Sequence, residues 1–216
     1  MNEAFSDLSV LGDFETNEDY MPFLHSLMQE GTPNTISGHL NVSVLGGNTA
    51  NTEFEFLTGN TMAFLPQGSV AYQQYVKSND YSIATYLKSK GYDTIAMHPY
   101  NASGWDRDKV YPLLGFDTFY SLKDWVNPVK IRKYVSDQSC YDKIIELYEQ
   151  KDANTPFFLF NVTMQNHSSY SEEYDNFHPD ITVEGTSSKI LPNYLSLIKL
   201  SDQALENLIE YFSQAD

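Results

Sequence analysis

The sequence predicts an α/β domain with a mostly parallel central sheet flanked by helices. Apolar runs at helical spacing alternate with short β-rich runs, the pattern of strands joined by covering helices. Two of the β-rich runs read as buried strands. Phe157-Phe158-Leu159-Phe160-Asn161-Val162, entered through Pro156, is the clearer, and Asp93-Thr94-Ile95-Ala96-Met97, emerging at His98, is the second.

Taken in order, Asp19-Tyr20-Met21-Pro22 opens a helix with proline near its first turn, and Gly31 closes it. Residues 40–45 read as a strand or extended loop leading to Gly46-Gly47, and a helix follows Thr49 over 50–58. Another helix spans about 80–90 and stops at Gly91, before the strand 93–97. Residues 107–114 form a short helix, and 136–150 a longer one with Ser136 or Asp137 as its cap. The strand 157–162 ends at Thr163-Met164-Gln165-Asn166-His167. Residues 168–188, rich in Tyr, Ser, Asp and His, are too long for an ordinary connector and form a candidate binding loop or flap. A helix over about 190–214 follows. No strand has room before Glu3, and the last helix should feed a further strand, so the chain is expected to be a piece of a longer domain, truncated at both ends.

The 216 residues suit one globular domain. Hydrophobic content of 41%, with 16 Tyr and 13 Phe, is enough for a core despite a mean hydropathy of -0.41. The formal charge is -16, from 29 acidic against 13 basic residues, and no basic run exceeds Arg132-Lys133. That balance argues against nucleic acid and would repel an anionic membrane, so any approach to lipid needs a local feature or a tether outside this chain. No run approaches the roughly 18 apolar residues of a spanning helix, and no signal peptide is visible. Cys140 is the only cysteine, which excludes an internal disulfide and a cysteine-based zinc knuckle.

Chemistry gathers at the strand ends, where ligands of open α/β sheets bind. Thr49 follows a glycine pair at a helix start, where backbone N–H groups and the macrodipole favour an oxyanion. Two readings stand for it: a side-chain helix cap, which threonine makes well, or a nucleophile once something such as a metal lowers its pKa. His98 follows one strand, with Trp105 and Arg107 in the loop after it, and His167 follows another. Histidine, arginine and a helix N-terminus are groups that bind phosphate or sulfate, and an indole can close over glycerol or sugar carbons. Glu3, Asp7 and Glu53 are candidates for a metal side, among which the sequence does not choose.

Glu3 in Met-Asn-Glu-Ala-Phe-Ser-Asp-Leu, Gly47-Asn-Thr-Ala-Asn-Thr-Glu-Phe54, His98 with Trp105-Asp-Arg107, and Gln165-Asn-His167 together resemble the lipoteichoic acid synthase group of the alkaline phosphatase and sulfatase superfamily. Motif order and spacing agree over essentially the whole chain. The resemblance implies that residues 1–216 are a partial sulfatase-like catalytic domain at the extracellular face of the bacterial cell membrane, its parent anchored by segments absent here. It implies Thr49 as the nucleophile carrying a glycerophosphoryl group, Glu3 and Thr49 as ligands of Mn²⁺ or another divalent cation such as Mg²⁺, and His98, Trp105, Arg107 and His167 as the substrate-binding set. The donor would be a phosphatidylglycerol-type lipid and the acceptor a glycolipid or a polyglycerolphosphate chain. The group completes its metal site with a Gly-Asp-His motif after a further strand, and the chain ends before one appears.

Sulfate ester hydrolysis needs a Cys or Ser in a local Cys/Ser-x-Pro-x-Arg pattern. Here Cys140 is followed two residues on by Asp142, and Thr49 by Asn51. Phosphoethanolamine transfer also uses a threonine and is the closest enzymatic alternative, while Trp105-x-Arg107 favours phosphoglycerol. A fragment that only binds glycerophosphate is the non-catalytic alternative.

Overall fold

The computed structural model describes residues 1–29 and 31–215. Glu30, just before the Gly31 expected to close the first helix, lies outside the described residues. In chain order the elements are a 3-10 turn at Leu8–Leu11, β1 (Glu15–Thr16), α1 (Pro22–Leu27), α2 (Thr49–Thr58), α3 (Ala71–Gln74), α4 (Ile83–Lys88), β2 (Asp93–His98), a 3-10 turn at Gly104–Asp106, α5 (Arg107–Leu113), β3 (Thr118–Ser121), a 3-10 turn at Leu122–Asp124, β4 (Lys130–Ile131), β5 (Tyr134–Val135), α6 (Asp137–Gln150), β6 (Phe157–Asn161), β7 (Val183–Glu184) and α7 (Leu191–Gln214). The chain divides into two compact units, one of Met1, 39–126 and 147–162, the other of 2–38, 127–146 and 163–216.

The first unit holds a parallel sheet in the order β3-β2-β6. Ile95 through His98 stand opposite Thr118 through Ser121, and Asp93 through Met97 opposite Phe157 through Asn161. Both strands predicted as buried therefore pair directly. Residues 40–45 form no strand; Ser43 N–H donates to Glu55 Oε2 at 3.1 Å and its hydroxyl meets Thr61 at 2.8 Å, so a helix side chain and a loop take the partners a ladder would need. Ala50, Phe54 and Leu57 recur at helical spacing on α2 and enter a core with Tyr72, Val110, Tyr111, Leu114, Phe116 and Phe160. The Tyr111 ring meets Phe119 edge-on at 4.8 Å and Phe116 at 5.3 Å, the arrangement aromatic quadrupoles favour.

α4 starts from a capping box in which the Ser82 hydroxyl accepts from Ala84 and Thr85 N–H and the Thr85 hydroxyl accepts from Ser82 N–H. The same Ser82 hydroxyl donates to Leu114 O at 2.5 Å, which draws the α5–β3 turn against the helix. At that turn Gly115 has φ of 92°, and a Cβ there would stand 2.8 Å from Thr85 N and 2.9 Å from Thr85 Cα. Both the left-handed backbone and the contact require glycine. Gly115→Ala is expected to cost about 3 kcal/mol in urea denaturation, and a loss below about 1 kcal/mol would mean that the turn moves away from α4 freely.

In the second unit α7 runs 24 residues, with Tyr194, Leu195, Ile198, Asp202 and others on its buried side. Leu195 and Ile198 join Tyr20, Met21 and Ile181 in the core of that unit. Asp202 accepts from Phe23 N–H at 2.8 Å and Leu24 N–H at 2.9 Å, so a carboxylate from α7 satisfies the open donors at the start of α1. β1 pairs antiparallel with β7, which anchors the far end of the long 168–188 segment, and β4 with β5 makes a hairpin whose turn is Arg132-Lys133.

Candidate functional site

Gly46, Gly47 and Asn48 have φ of 59°, 72° and 54°, three consecutive left-handed residues that turn the chain into α2. Glycine takes that conformation without a Cβ penalty, and asparagine tolerates it better than other side chains. The turn makes Thr49 the first residue of the helix and puts Asn48 at the N-cap, with no side-chain capping bond. Thr49 is thus not the cap, and it stands half-buried at the positive end of a ten-residue helix. Asn51, two residues on, donates to Ser69 O at 2.8 Å and accepts from Ala71 N–H at 2.9 Å, which fixes the first turn of α2 to the start of α3.

Glu53 follows Thr49 by four residues and so lies on the same face, one turn along. It is fully buried, at 0% exposure. Its carboxylate takes Arg107 Nη2 in a short ion pair, Arg107 Nε at 3.2 Å to both oxygens, and the Tyr111 hydroxyl at 2.8 Å. Arg107 Nη1 donates to Gly104 O at 3.2 Å. Burial alone would lower the Arg107 pKa, but the Glu53 charge beside it raises it, so the guanidinium stays charged. Burial first, and the Glu53 charge second, push the Tyr111 hydroxyl far up, and it remains a donor. Glu53, a candidate for the metal side in the sequence, is the buried counter-ion of Arg107. Two of the five N–H donors of Arg107 remain beyond these contacts.

His98 closes β2 and is 3% exposed. Its Nδ1 lies 2.9 Å from Val162 O. A carbonyl only accepts, so Nδ1 carries a proton and donates it to Val162 O. Trp105 and the adjacent Asp106 both have φ of 57°. A bulky residue there is strained by about 1 kcal/mol or more, and Trp105 holds the conformation while only part of its ring packs on the core. Strain of this kind gathers at functional sites.

Glu3 and His167 belong to the second unit. Glu3 N–H donates to the Thr163 hydroxyl at 3.0 Å, which ties the residue to the segment after β6. His167 is half-exposed, with Nδ1 3.1 Å from Ser168 O and 3.4 Å from the Tyr134 hydroxyl, and its ring meets Tyr134 edge-on at 5.6 Å.

Asp7, the third metal-side candidate, is committed elsewhere. It accepts from Ser9 N–H at 2.9 Å and from the Tyr20 hydroxyl at 2.5 Å, with His25 Nε2 at 3.4 Å, while His25 Nδ1 meets Asp19 at 2.9 Å. Burial would raise the Asp7 pKa, but the Tyr20 and Ser9 hydrogen bonds lower it below its ordinary 3.8. Burial would likewise lower that of His25, but Asp19 and then Asp7 raise it above 6.5. The Asp7 contribution to stability is present above pH 3.8 and lost as pH falls through its lowered pKa; that of His25 is complete below pH 6.5 and lost as pH rises through its raised one. His25→Asn is therefore expected to lower the melting point most near pH 5–6, by the equivalent of about 0.5 kcal/mol for a partly exposed network. A difference that instead grew above pH 8 would contradict the pairing.

The sulfatase family profile matches residues 4–216. A putative cyclic beta-1,2-glucan modification protein of Rhizobium meliloti (strain 1021) is 34% identical over 221 residues, covering 100% of this chain and 33% of the relative. Lipoteichoic acid synthase 1 of Bacillus subtilis (strain 168) is 26% identical over 211 residues, covering 96% and 32%. Among solved structures, the Streptococcus pyogenes phosphoglycerol transferase GacH in complex with sn-glycerol-1-phosphate superposes with a TM-score of 0.83 at 27% identity, over 100% of this chain and 56% of that one. Lipoteichoic acid synthase LtaP from Listeria monocytogenes, at TM-score 0.71 and 24% identity over 90% and 46%, shares the fold. The chain spans about a third of the length of the curated relatives it matches.

Proposed function

The chain belongs to the sulfatase family, within the alkaline phosphatase superfamily fold, and on that premise we propose that it is the N-terminal part of the catalytic domain of a phosphoglycerol transferase. The observation that carries the reading is Thr49 as the first residue of α2, half-buried and one turn from the Glu53–Arg107 pair. Likeness to GacH and to lipoteichoic acid synthases supports the transferred group.

Thr49 Oγ attacks the phosphorus of a phosphatidylglycerol-type donor. The bond from phosphorus to the diacylglycerol oxygen breaks, diacylglycerol leaves with a proton, and glycerol phosphate remains on Thr49. A hydroxyl of a glycolipid or of a growing polyglycerolphosphate chain then attacks the same phosphorus, the bond from phosphorus to Thr49 Oγ breaks, and the acceptor's proton returns Thr49 to its hydroxyl form. N–H groups in the first turn of α2 and the remaining donors of Arg107 stabilise charge on the phosphoryl oxygens. His98, Trp105 and His167 complete the substrate contacts, the indole against glycerol carbons.

A divalent ion, Mn²⁺ or Mg²⁺, is part of this reading; when bound, it lowers the hydroxyl pKa and neutralises phosphoryl oxygens. Among the described residues no group of three or more His, Cys, Asp or Glu is placed to hold one. The Glu3 carboxylate and the Thr49 hydroxyl are hard oxygen donors of the right kind, but two are fewer than either ion takes. With these two ligands, the 216 residues alone are expected to bind Mn²⁺ more weakly than about micromolar in calorimetry. Among the described residues no helix is long and apolar enough to cross a membrane, and we assign the lipid encounter to the extracellular face of the bacterial cell membrane, with an anchor elsewhere in the protein.

The test is to supply the complete polypeptide with a fluorescent phosphatidylglycerol. Release of fluorescent diacylglycerol supports the reading. Turnover of phosphatidylethanolamine but not phosphatidylglycerol would replace it with phosphoethanolamine transfer.

A further inference from the structure

We infer that Arg132 is a positioning residue that fixes the segment bearing His167. Arg132 is only 5% exposed, and its guanidinium reaches three backbone carbonyls of one segment: Nη1 donates to Ser169 O at 2.6 Å, and Nη2 to Gln165 O at 2.7 Å and His167 O at 2.8 Å. The charge lies over the rings of Tyr134, at 5.7 Å, and Tyr170, at 5.5 Å. Three carbonyl dipoles of one segment and two ring faces meet the charge.

The backbone of Arg132 adds a second, independent observation. The β4–β5 hairpin turns over two residues, and Arg132 is the first of them, with φ of 56°. Hairpin turns of this length require a positive φ there and favour glycine or asparagine. An arginine at that place accepts strain of about 1 kcal/mol that glycine would avoid, and its side chain is what the turn delivers to the segment 165–169. The turn is itself held, since Asn176 donates to Lys130 O and Arg132 O, both at 3.0 Å.

The two halves of the segment are secured differently. The Gln165 and Asn166 side chains point inward, with Asn166 Nδ2 donating to the Ser201 hydroxyl at 2.8 Å and that hydroxyl donating to Asp137 at 2.6 Å. His167 is only half-buried, and its ring rests on Tyr134 and the Ser168 carbonyl and not on the Ser201–Asp137 pair. The carbonyls on either side of its ring, at 165, 167 and 169, are the ones Arg132 binds. Losing the guanidinium frees the backbone at His167 and leaves the interior contacts of Gln165 and Asn166 in place.

The inference rests on the reading of His167 as a substrate-binding group, and the test separates the two. Arg132→Gly suits the left-handed turn and leaves a space shaped for a guanidinium ion; Arg132→Lys keeps the charge but cannot serve three carbonyls at once. In the complete polypeptide both are compared with His167→Ala. Arg132→Gly is expected to lower kcat by about 10- to 100-fold, with KM changing less, because a displacement near 1 Å can cost that much. Added methylguanidinium should restore part of the rate and return the His167 ring resonances, shifted by loss of the Tyr134 contact, towards their wild-type positions. Arg132→Lys should fall between, and it stands in if the glycine variant does not fold. Combined with His167→Ala, Arg132→Gly should cost little more than His167→Ala alone. Unchanged His167 resonances together with kcat within twofold of wild type would overturn the inference, as would losses that multiply fully in the double variant. If His167→Ala keeps full turnover, the substrate role of His167 falls, and Arg132 is judged by the His167 resonances alone.

Discussion

Thr49→Ala is expected to reduce phosphoglycerol transfer by the complete polypeptide by about four to six orders of magnitude, the scale on which losing a covalent nucleophile is felt. The fold should survive the change. Asn48, not Thr49, occupies the N-cap, and Thr49 is half-buried, so the change removes neither the cap residue nor a fully buried side chain. Thr49→Ser keeps the hydroxyl and loses only a methyl group, and it should retain measurable turnover. Circular dichroism and melting temperature, measured beside the rate, separate a lost nucleophile from a lost fold. Turnover by Thr49→Ala within tenfold of wild type would place the nucleophile elsewhere and return α2 to a structural role.

Arg107→Ala should be the most destabilising single change at the site, at about 3–5 kcal/mol in urea denaturation. It leaves the Glu53 carboxylate, at 0% exposure, with the Tyr111 hydroxyl donating at 2.8 Å but without its cationic partner. Glu53→Ala should cost a similar amount, since the guanidinium would keep only Gly104 O among these partners. The double change Glu53→Leu/Arg107→Met is the informative one. Buried ion pairs are often matched in stability by apolar residues of similar volume, so the double variant should recover much of the loss while transfer stays low for want of the arginine. A cost below about 1 kcal/mol for Arg107→Ala would show that the pair is not buried in solution, and wild-type transfer by the double variant would remove Arg107 from the substrate set.

What the sequence reveals of this fold follows how local each signal is. β6 is a nearly continuous apolar run and β2 carries Ile95-Ala96-Met97 after the Gly91 stop, so both are read directly, and α6 and α7 carry long periodic faces with boundaries close to those observed. β3 is four residues, Thr118-Phe119-Tyr120-Ser121, with only the last buried; its residues favour strands, but the run is too short and too exposed to stand out, and its place is set by pairing with β2. β1 meets β7 across most of the chain, two residues against two, and no local pattern marks either. At the candidate site, the glycine pair and the helix after it expose Thr49, and the strand ends expose His98 and His167. The role of Glu53 was also legible in principle: it shares a helix face with Ala50, Phe54 and Leu57, and a charge on a buried face needs a partner. Arg132 carried no such mark, because its importance comes from a hairpin two residues per strand and from carbonyls more than thirty residues away.

The account centres on a covalent glycerophosphoryl group on Thr49, and one measurement reaches it directly. The complete polypeptide, incubated with phosphatidylglycerol in the absence of acceptor, is quenched in acid, digested and analysed by mass spectrometry. The account predicts glycerol phosphate on the peptide that contains Thr49, fragment ions that place it on that residue, and its loss when a glycolipid acceptor is added before the quench. Glycerol phosphate on a different residue, or transfer that proceeds at full rate while the Thr49 peptide stays unmodified, would contradict it.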